Sequence, residues 1–366
     1  MFYLLIGKIV CYYGTWATYR VGAAQFHVSD INANLCTHVI YSFFGVTVNG
    51  EITHLDNWLD IGRGNIREFM SLRQQNPQIV LMAAVGGYNF GSETFSMLAR
   101  NPIARTNFAR NAVNFMRLHG FNGFDVDWEF PVGEGGIPED RQNFILLLRE
   151  LRLHLNANGF VLSVAVAATQ YATTRSYDVA GVSNNVDFIN LMTYDFHGSW
   201  NEFTGIHGAF NFRQAEGFWQ RGLNVQACVN LWLSQGADPR KLIVGIPFYG
   251  NSFTLANALN NGIGSSAIGP GTAGTFVQPN MLGYDEICIN RWTRVWEPEH
   301  QVPYAFNGDQ WVGYDDVQSV QIKSNYIVNN NLGGAMIWSI ETDDFRGNCG
   351  LGRFPMLTAI NNILRR

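Results

Sequence analysis

The chain has 366 residues, 47% of them hydrophobic and 14% charged, with a formal net charge of −5. That mild acidic balance, without any basic run, excludes the electrostatic footprint of a nucleic-acid binder. No apolar stretch approaches the roughly 18 residues of a membrane span, and five cysteines without a CxxC pair exclude zinc-finger and thioredoxin-like readings.

Residues 1–6 are apolar but carry no basic flank, and they are shorter than the roughly 7–15 residues of a secretory apolar region. They read as the remnant of a signal or as the lead-in to a first strand. From there, short runs of β-branched and aromatic residues predict strands at 8–13, 38–44, 79–85, 123–129, 160–166, 188–193, 242–247 and 334–339. Helix-like segments fall between them, for example 142–156, with Leu and Arg at helical spacing. This alternation argues for parallel βαβ units, and eight such strands are what a TIM (β/α)8 barrel needs. A doubly wound sheet competes, but no GxGxxG follows the first strand. The interval between the last two strands is about 92 residues, too long for one βα unit. The expected division is a barrel at 1–250 and 307–366 with a subdomain inserted at 251–306.

The chemistry concentrates in Phe121-Asn-Gly-Phe-Asp-Val-Asp-Trp-Glu-Phe-Pro131. On a strand, Asp125, Asp127 and Glu129 share one face, while Phe124, Val126 and Trp128 share the other. A parallel barrel strand has no solvent face, so the three acids point into the interior, where charge is costly unless shared or neutralised. A divalent-cation site is the competing reading. Close carboxylates push their pKa values apart, and one of them then stays protonated near neutral pH. Glu129 ends the ladder on the side where barrel active sites lie, which makes it the candidate general acid. Aromatics reach 14% of the chain. A large core accounts for most of them, and any surplus on the surface would suit the flat faces of sugars.

The 121–131 segment resembles the DxxDxDxE signature of glycoside hydrolase family 18, the chitinases and chitinase-like proteins. Further segments resemble family motifs in the same order: Cys11-Tyr-Tyr-Gly-Thr-Trp16, Tyr41-Ser-Phe43, Val85-Gly-Gly-Tyr-Asn89, Met192-Thr-Tyr-Asp195, Gly245-Ile-Pro-Phe-Tyr-Gly250 and Ala335-Met-Ile-Trp-Ser339. The resemblance implies an α+β character for the insertion. It implies a retaining hydrolase of β-1,4-linked GlcNAc polymers or oligomers, in which the substrate's own N-acetyl group acts as nucleophile. Glu129 would be the acid, Asp127 would hold the N-acetyl N–H, and Asp125 would share a proton with Asp127. Tyr194 would bond the N-acetyl group in a pocket lined by Met192 and Asp195. Trp338 would floor the reacting subsite, with Tyr12, Phe43, Tyr88, Asn89 and Tyr249 as further substrate contacts. It also implies disulfides Cys11–Cys36 and Cys288–Cys349, leaving Cys228 free, and hence a secreted protein. It implies no metal, no cofactor, and a monomer whose partner is chitin or its oligomers.

Three positions depart from the family pattern. Asn122 replaces the first acid, Tyr88 stands where Trp is common, and Asn251 stands where Arg would supply a donor. A chitinase-like lectin without activity is the alternative function. Such members usually lack the acid found here at Glu129. An endoglycosidase acting on N-glycans is a third reading, weakened by the expected insertion. With no chitin-binding module expected after the barrel, oligomers would be better substrates than insoluble chitin.

Overall fold

The computed structural model describes residues 7–274, 280–290 and 292–365. The apolar segment 1–6 lies outside them. Strands β1 (Lys8–Gly14) and β2 (His38–Val46) pair in parallel, and a short β3 (Ile52–His54) folds back antiparallel on β2. Then follow β4 (Val80–Gly86), β5 (Gly123–Asp127), β6 (Val161–Ala167), β7 (Phe188–Met192) and β8 (Leu242–Pro247), each parallel to its neighbour. An α+β subdomain interrupts the order. Its antiparallel sheet contains β9 (Tyr249–Leu255), β10 (Ala267–Pro270), β11 (Met281–Gly283), β12 (Thr293–Glu297), β13 (Val302–Asn307) and β14 (Gln310–Gly313). Finally β15 (Gly334–Trp338) pairs with both β8 and β1 and closes the barrel.

Each barrel strand alternates between two apolar environments. Outward residues such as Phe124, Val126 and Leu191 join the large cluster between strands and helices. Inward residues Val10, Tyr12, Ile40, Met82, Ala84, Phe188, Ile243 and Met336 fill the barrel axis. The register between β2 and β4 shifts between Tyr41 and Phe44. Tyr41 and Phe44 therefore both face the helices, while Phe43 turns toward the barrel axis. Bulges of this kind re-aim side chains beside active sites.

Glycine is required where strand ends crowd the mouth of the barrel. A Cβ on Gly245 would lie 2.9 Å from the Tyr194 ring, so only glycine leaves room for that tyrosine.

The sulfurs of Cys11 and Cys36 are bonded, as are those of Cys288 and Cys349. The first bridge ties β1 to the segment entering β2, and the second ties the subdomain helix Tyr284–Ile289 to the segment after β15. Cys228 is buried in helix Val225–Ser234, and burial pushes its thiol up to about 12. A thiol reagent is therefore expected to find no reactive thiol in the native, non-reduced protein and one after denaturation. Modification of the native protein would contradict this packing.

Candidate active site

The sequence places the three acids on one strand face. The β5 ladder ends earlier than expected, at Asp127, whose register partner on β4 is Gly86. The chain runs on through Trp128 to Glu129 beyond the last ladder pair. Trp128 is buried on the helix side, stacked on Phe95 with its indole N–H donating to Ser92. That anchor fixes the turn and leaves Glu129, half-buried, at the rim of the barrel.

Asp125 lies deepest. Its Oδ2 accepts from the Tyr12 hydroxyl at 2.7 Å, and its Oδ1 accepts from Ser163 and, at 3.3 Å, from Asn190 Nδ2. Strand register explains the arrangement. Asp125 sits opposite Ser163 on β6, and Asn190 on β7 points inward one strand further on. Burial pushes Asp125 up to about 6, with the hydrogen bonds from Ser163, Tyr12 and Asn190 pulling against it. Asp125 thus takes hydrogen bonds on both of its oxygens from these three donors.

Asp127 is buried, and its Oδ1 has no protein hydrogen-bond partner among the described residues. Burial, then Glu129, then Asp125 raise its pKa well above the usual carboxylate range. Burial and the Asp195 charge raise Glu129 to about 8, a shift that favours the protonated acid near neutral pH.

Asp195 follows β7 with φ of +56°, a left-handed conformation that Asp tolerates better than most residues. Its Oδ1 accepts from the Tyr249 hydroxyl at 2.8 Å and from Asn251 Nδ2 at 3.0 Å, and His207 Nδ1 lies 3.4 Å away. Burial opposes ionisation, but these partners outweigh it and hold Asp195 below the usual range. Asn251, which stands where Arg would supply a donor toward substrate, turns its amide to Asp195 and the His197 carbonyl. The Tyr194 hydroxyl meets the Met336 sulfur at 3.9 Å, and its ring lies 6.2 Å from that of Tyr249. Burial, and then the nearby Asp127, Glu129 and Asp195, raise the Tyr194 pKa well above its ordinary value.

An aromatic floor adjoins the acids. The Trp338 ring lies 5.5 Å from Tyr12, 5.8 Å from Phe43 and 6.1 Å from Trp16, and Trp16 stacks on Phe43. Met192 packs with the same axial cluster. Tyr12 and Tyr249 are buried with their hydroxyls on carboxylates, whereas Tyr88 and Asn89 stand exposed on the turn after β4. Asn122 lies at the opposite end of β5, where its side chain accepts from Arg73 and from Leu81 N–H. Sequence reasoning missed Ser163, Asn190, Trp16 and His207. Trp16 had a signal, since it ends the first quoted motif. The others are single polar residues in apolar runs or loops.

The match to known proteins spans the same elements. The model of glycosyl hydrolases family 18 matches residues 8–343. The chain belongs to that family. It is 38% identical to chitotriosidase-1 of Mus musculus, covering 98% of this chain and 78% of the relative. It is also 38% identical to an endochitinase of Manduca sexta, covering 94% of this chain and 65% of the relative, just under two thirds of that protein. Among solved structures, the Group IV chitinase of Ostrinia furnacalis in complex with allosamidin superposes with a TM-score of 0.95 at 41% identity, covering 98% of both chains. Human YKL-39, described as a pseudo-chitinase with retained chitooligosaccharide binding, superposes with a TM-score of 0.92 at 34% identity, covering 98% of this chain and 99% of that one.

The Asp125 titration has a measurable consequence. Its folded pKa of about 6 exceeds the ordinary value of 3.8. The stability it contributes is therefore full below about pH 4 and is lost as pH rises through about 6, an effect of about 3 kcal/mol for two pKa units. Asp125→Asn removes the titration. The unfolding free energy of the variant relative to the native chain should climb by about that amount between pH 4 and 7 in denaturant titrations. A pH-independent difference would contradict the assignment.

Proposed function

We propose that the chain is a chitinase, hydrolysing β-1,4 linkages of GlcNAc polymers and oligomers with retention of configuration. The observation that carries this reading is the placement of Glu129: a carboxylic acid at the barrel mouth, its pKa raised by burial and by Asp195, beside a buried Asp127 whose Oδ1 has no protein hydrogen-bond partner among the described residues. The aromatic floor of Trp338, Trp16 and Phe43 gives flat faces on which sugar rings stack.

In the first step Glu129 gives its proton to the glycosidic oxygen. The N-acetyl carbonyl oxygen of the same sugar attacks the anomeric carbon, the bond to the leaving sugar breaks, and a cyclic oxazolinium forms. Asp127 accepts the N-acetyl N–H on its unpaired oxygen and stabilises the positive charge. Tyr194 donates to the N-acetyl oxygen, in a pocket that Met192 and Asp195 complete. In the second step Glu129, now a carboxylate, takes a proton from water as the water oxygen attacks the anomeric carbon and reopens the ring. Two inversions retain configuration, and Glu129 ends protonated. Asp125, tied to Tyr12, Ser163 and Asn190, holds the base of the ladder in place. The two disulfides fit an oxidising, extracellular compartment.

The likeness to YKL-39 keeps a glycan-binding protein without activity as the second reading. Incubation with GlcNAc oligomers separates the two, since the chitinase releases shorter oligomers, first as the β-anomer. Release of the α-anomer would contradict the retaining mechanism, and no release from any oligomer would favour the lectin. Glu129→Gln should lower the rate at least about a hundredfold while oligomer binding survives, because one residue serves as acid and then as base. Full activity in that variant would refute the role of Glu129.

Asn122 is remote from the chemistry. Asn122→Asp is therefore expected to change kcat/KM by less than about tenfold, or ~1.4 kcal/mol. A hundredfold gain would show that the native ladder is impaired.

A further inference from the structure

His207 belongs to none of the motifs that identify the family, yet it is fully buried against Asp195. It lies on the segment between β7 and β8, and the main chain fixes it on both sides. Its own carbonyl accepts from Phe196 N–H at 3.0 Å. The next carbonyl, Gly208, accepts from the buried Lys323 ammonium at 2.7 Å. Its ring packs on Tyr249 at 4.9 Å.

The hydrogen bonds of the ring determine its protons. Nε2 lies 3.0 Å from the Tyr249 carbonyl oxygen. A carbonyl oxygen only accepts, so Nε2 must carry a hydrogen. Nδ1 lies 3.4 Å from Asp195 Oδ1, the oxygen that also accepts from Tyr249 and Asn251. In a neutral imidazole with Nε2–H, the Nδ1 lone pair would face that oxygen. Two acceptors would then oppose each other where the ring has no exposed surface on which to find water instead.

We propose that His207 is a positioning residue for the hydrolytic reaction, a doubly protonated imidazolium whose Nδ1–H holds the Asp195 carboxylate in the cleft. This rests on the reading of Asp195 as part of the N-acetyl pocket. The charges around the ring are consistent with it. The end of β7 presents Asp195 and His197, and β9 presents Tyr249 and Asn251. Behind Gly208, Lys323 and Asp315 form their own pair at 2.6 Å, and beyond His197 the pair His300–Glu216 does the same at 2.7 Å. Asp195 is thus the carboxylate that His207 faces directly. The imidazolium lets Asp195 stay ionised close to Glu129, which must keep its proton.

Nitrogen NMR of the native chain with labelled histidine, with His207 assigned through its backbone, reads the ring directly. Both ring nitrogens are expected to be protonated at pH 7. An Nδ1 bearing a lone pair would overturn the proposal. This measurement needs no substrate, so it can fail while the hydrolase reading stands. His207→Gln keeps a donor but removes the charge. An opposite charge at this range moves a carboxyl pKa by about 1–3 units. Without it Asp195 takes up a proton at higher pH, and in a carbon NMR titration of the folded variant the Asp195 carboxyl midpoint should move up by about one pH unit or more. An unmoved Asp195 midpoint in the folded variant would overturn the proposal. If the variant does not fold, the native-chain spectrum decides.

Discussion

Burying carboxyl groups inside a closed parallel barrel is the constraint on which this site depends. An ionised carboxylate in such a place loses its hydration, and only hydrogen bonds, opposite charge or a proton can replace it. Along the ladder the molecule uses hydrogen bonds at the base and a proton at the mouth. Asp125 is held by three neutral donors, Asp127 keeps an oxygen with no protein partner among the described residues, and Glu129 keeps its proton. Asp195, across the mouth, is the group held ionised. The separation of these protonation states converts four similar side chains into an acid, an acceptor and two supports.

The inserted subdomain takes a direct part in that separation. Its first strand, β9, begins at Tyr249, and both Tyr249 and Asn251 donate to Asp195. Because β9 follows β8 after a single residue, the barrel fixes where those donors stand. The closing strand β15 works similarly on the other wall, where it sets Trp338 against Tyr12 of β1. The site therefore lies at a seam between barrel and insertion.

Much of the architecture was legible because parallel strands buried on both faces leave uninterrupted apolar runs. All eight expected barrel strands match the observed spans to within about two residues at each end, ordinary play at strand termini. The strand expected at 123–129 ends at Asp127 because the ladder stops there while the acid pattern continues. Asp125 was legible as an interior acid, but its partners were not. Ser163 and Asn190 lie 38 and 65 residues away, and only strand register brings them together. The bulge that turns Phe43 toward the axis has no signature in its own residues. His207 was equally hidden, since a single histidine in a loop carries no sign of the carbonyl and carboxylate it will meet.

The central claim is that the barrel mouth keeps a glutamic acid protonated at neutral pH. The most direct measurement is a carbon NMR titration of the Glu129 side-chain carboxyl in the substrate-free protein. The account predicts a protonated carboxyl at pH 7 and a midpoint near the value of about 8 set by burial and Asp195. A midpoint in the ordinary glutamate range near 4.5 would contradict it.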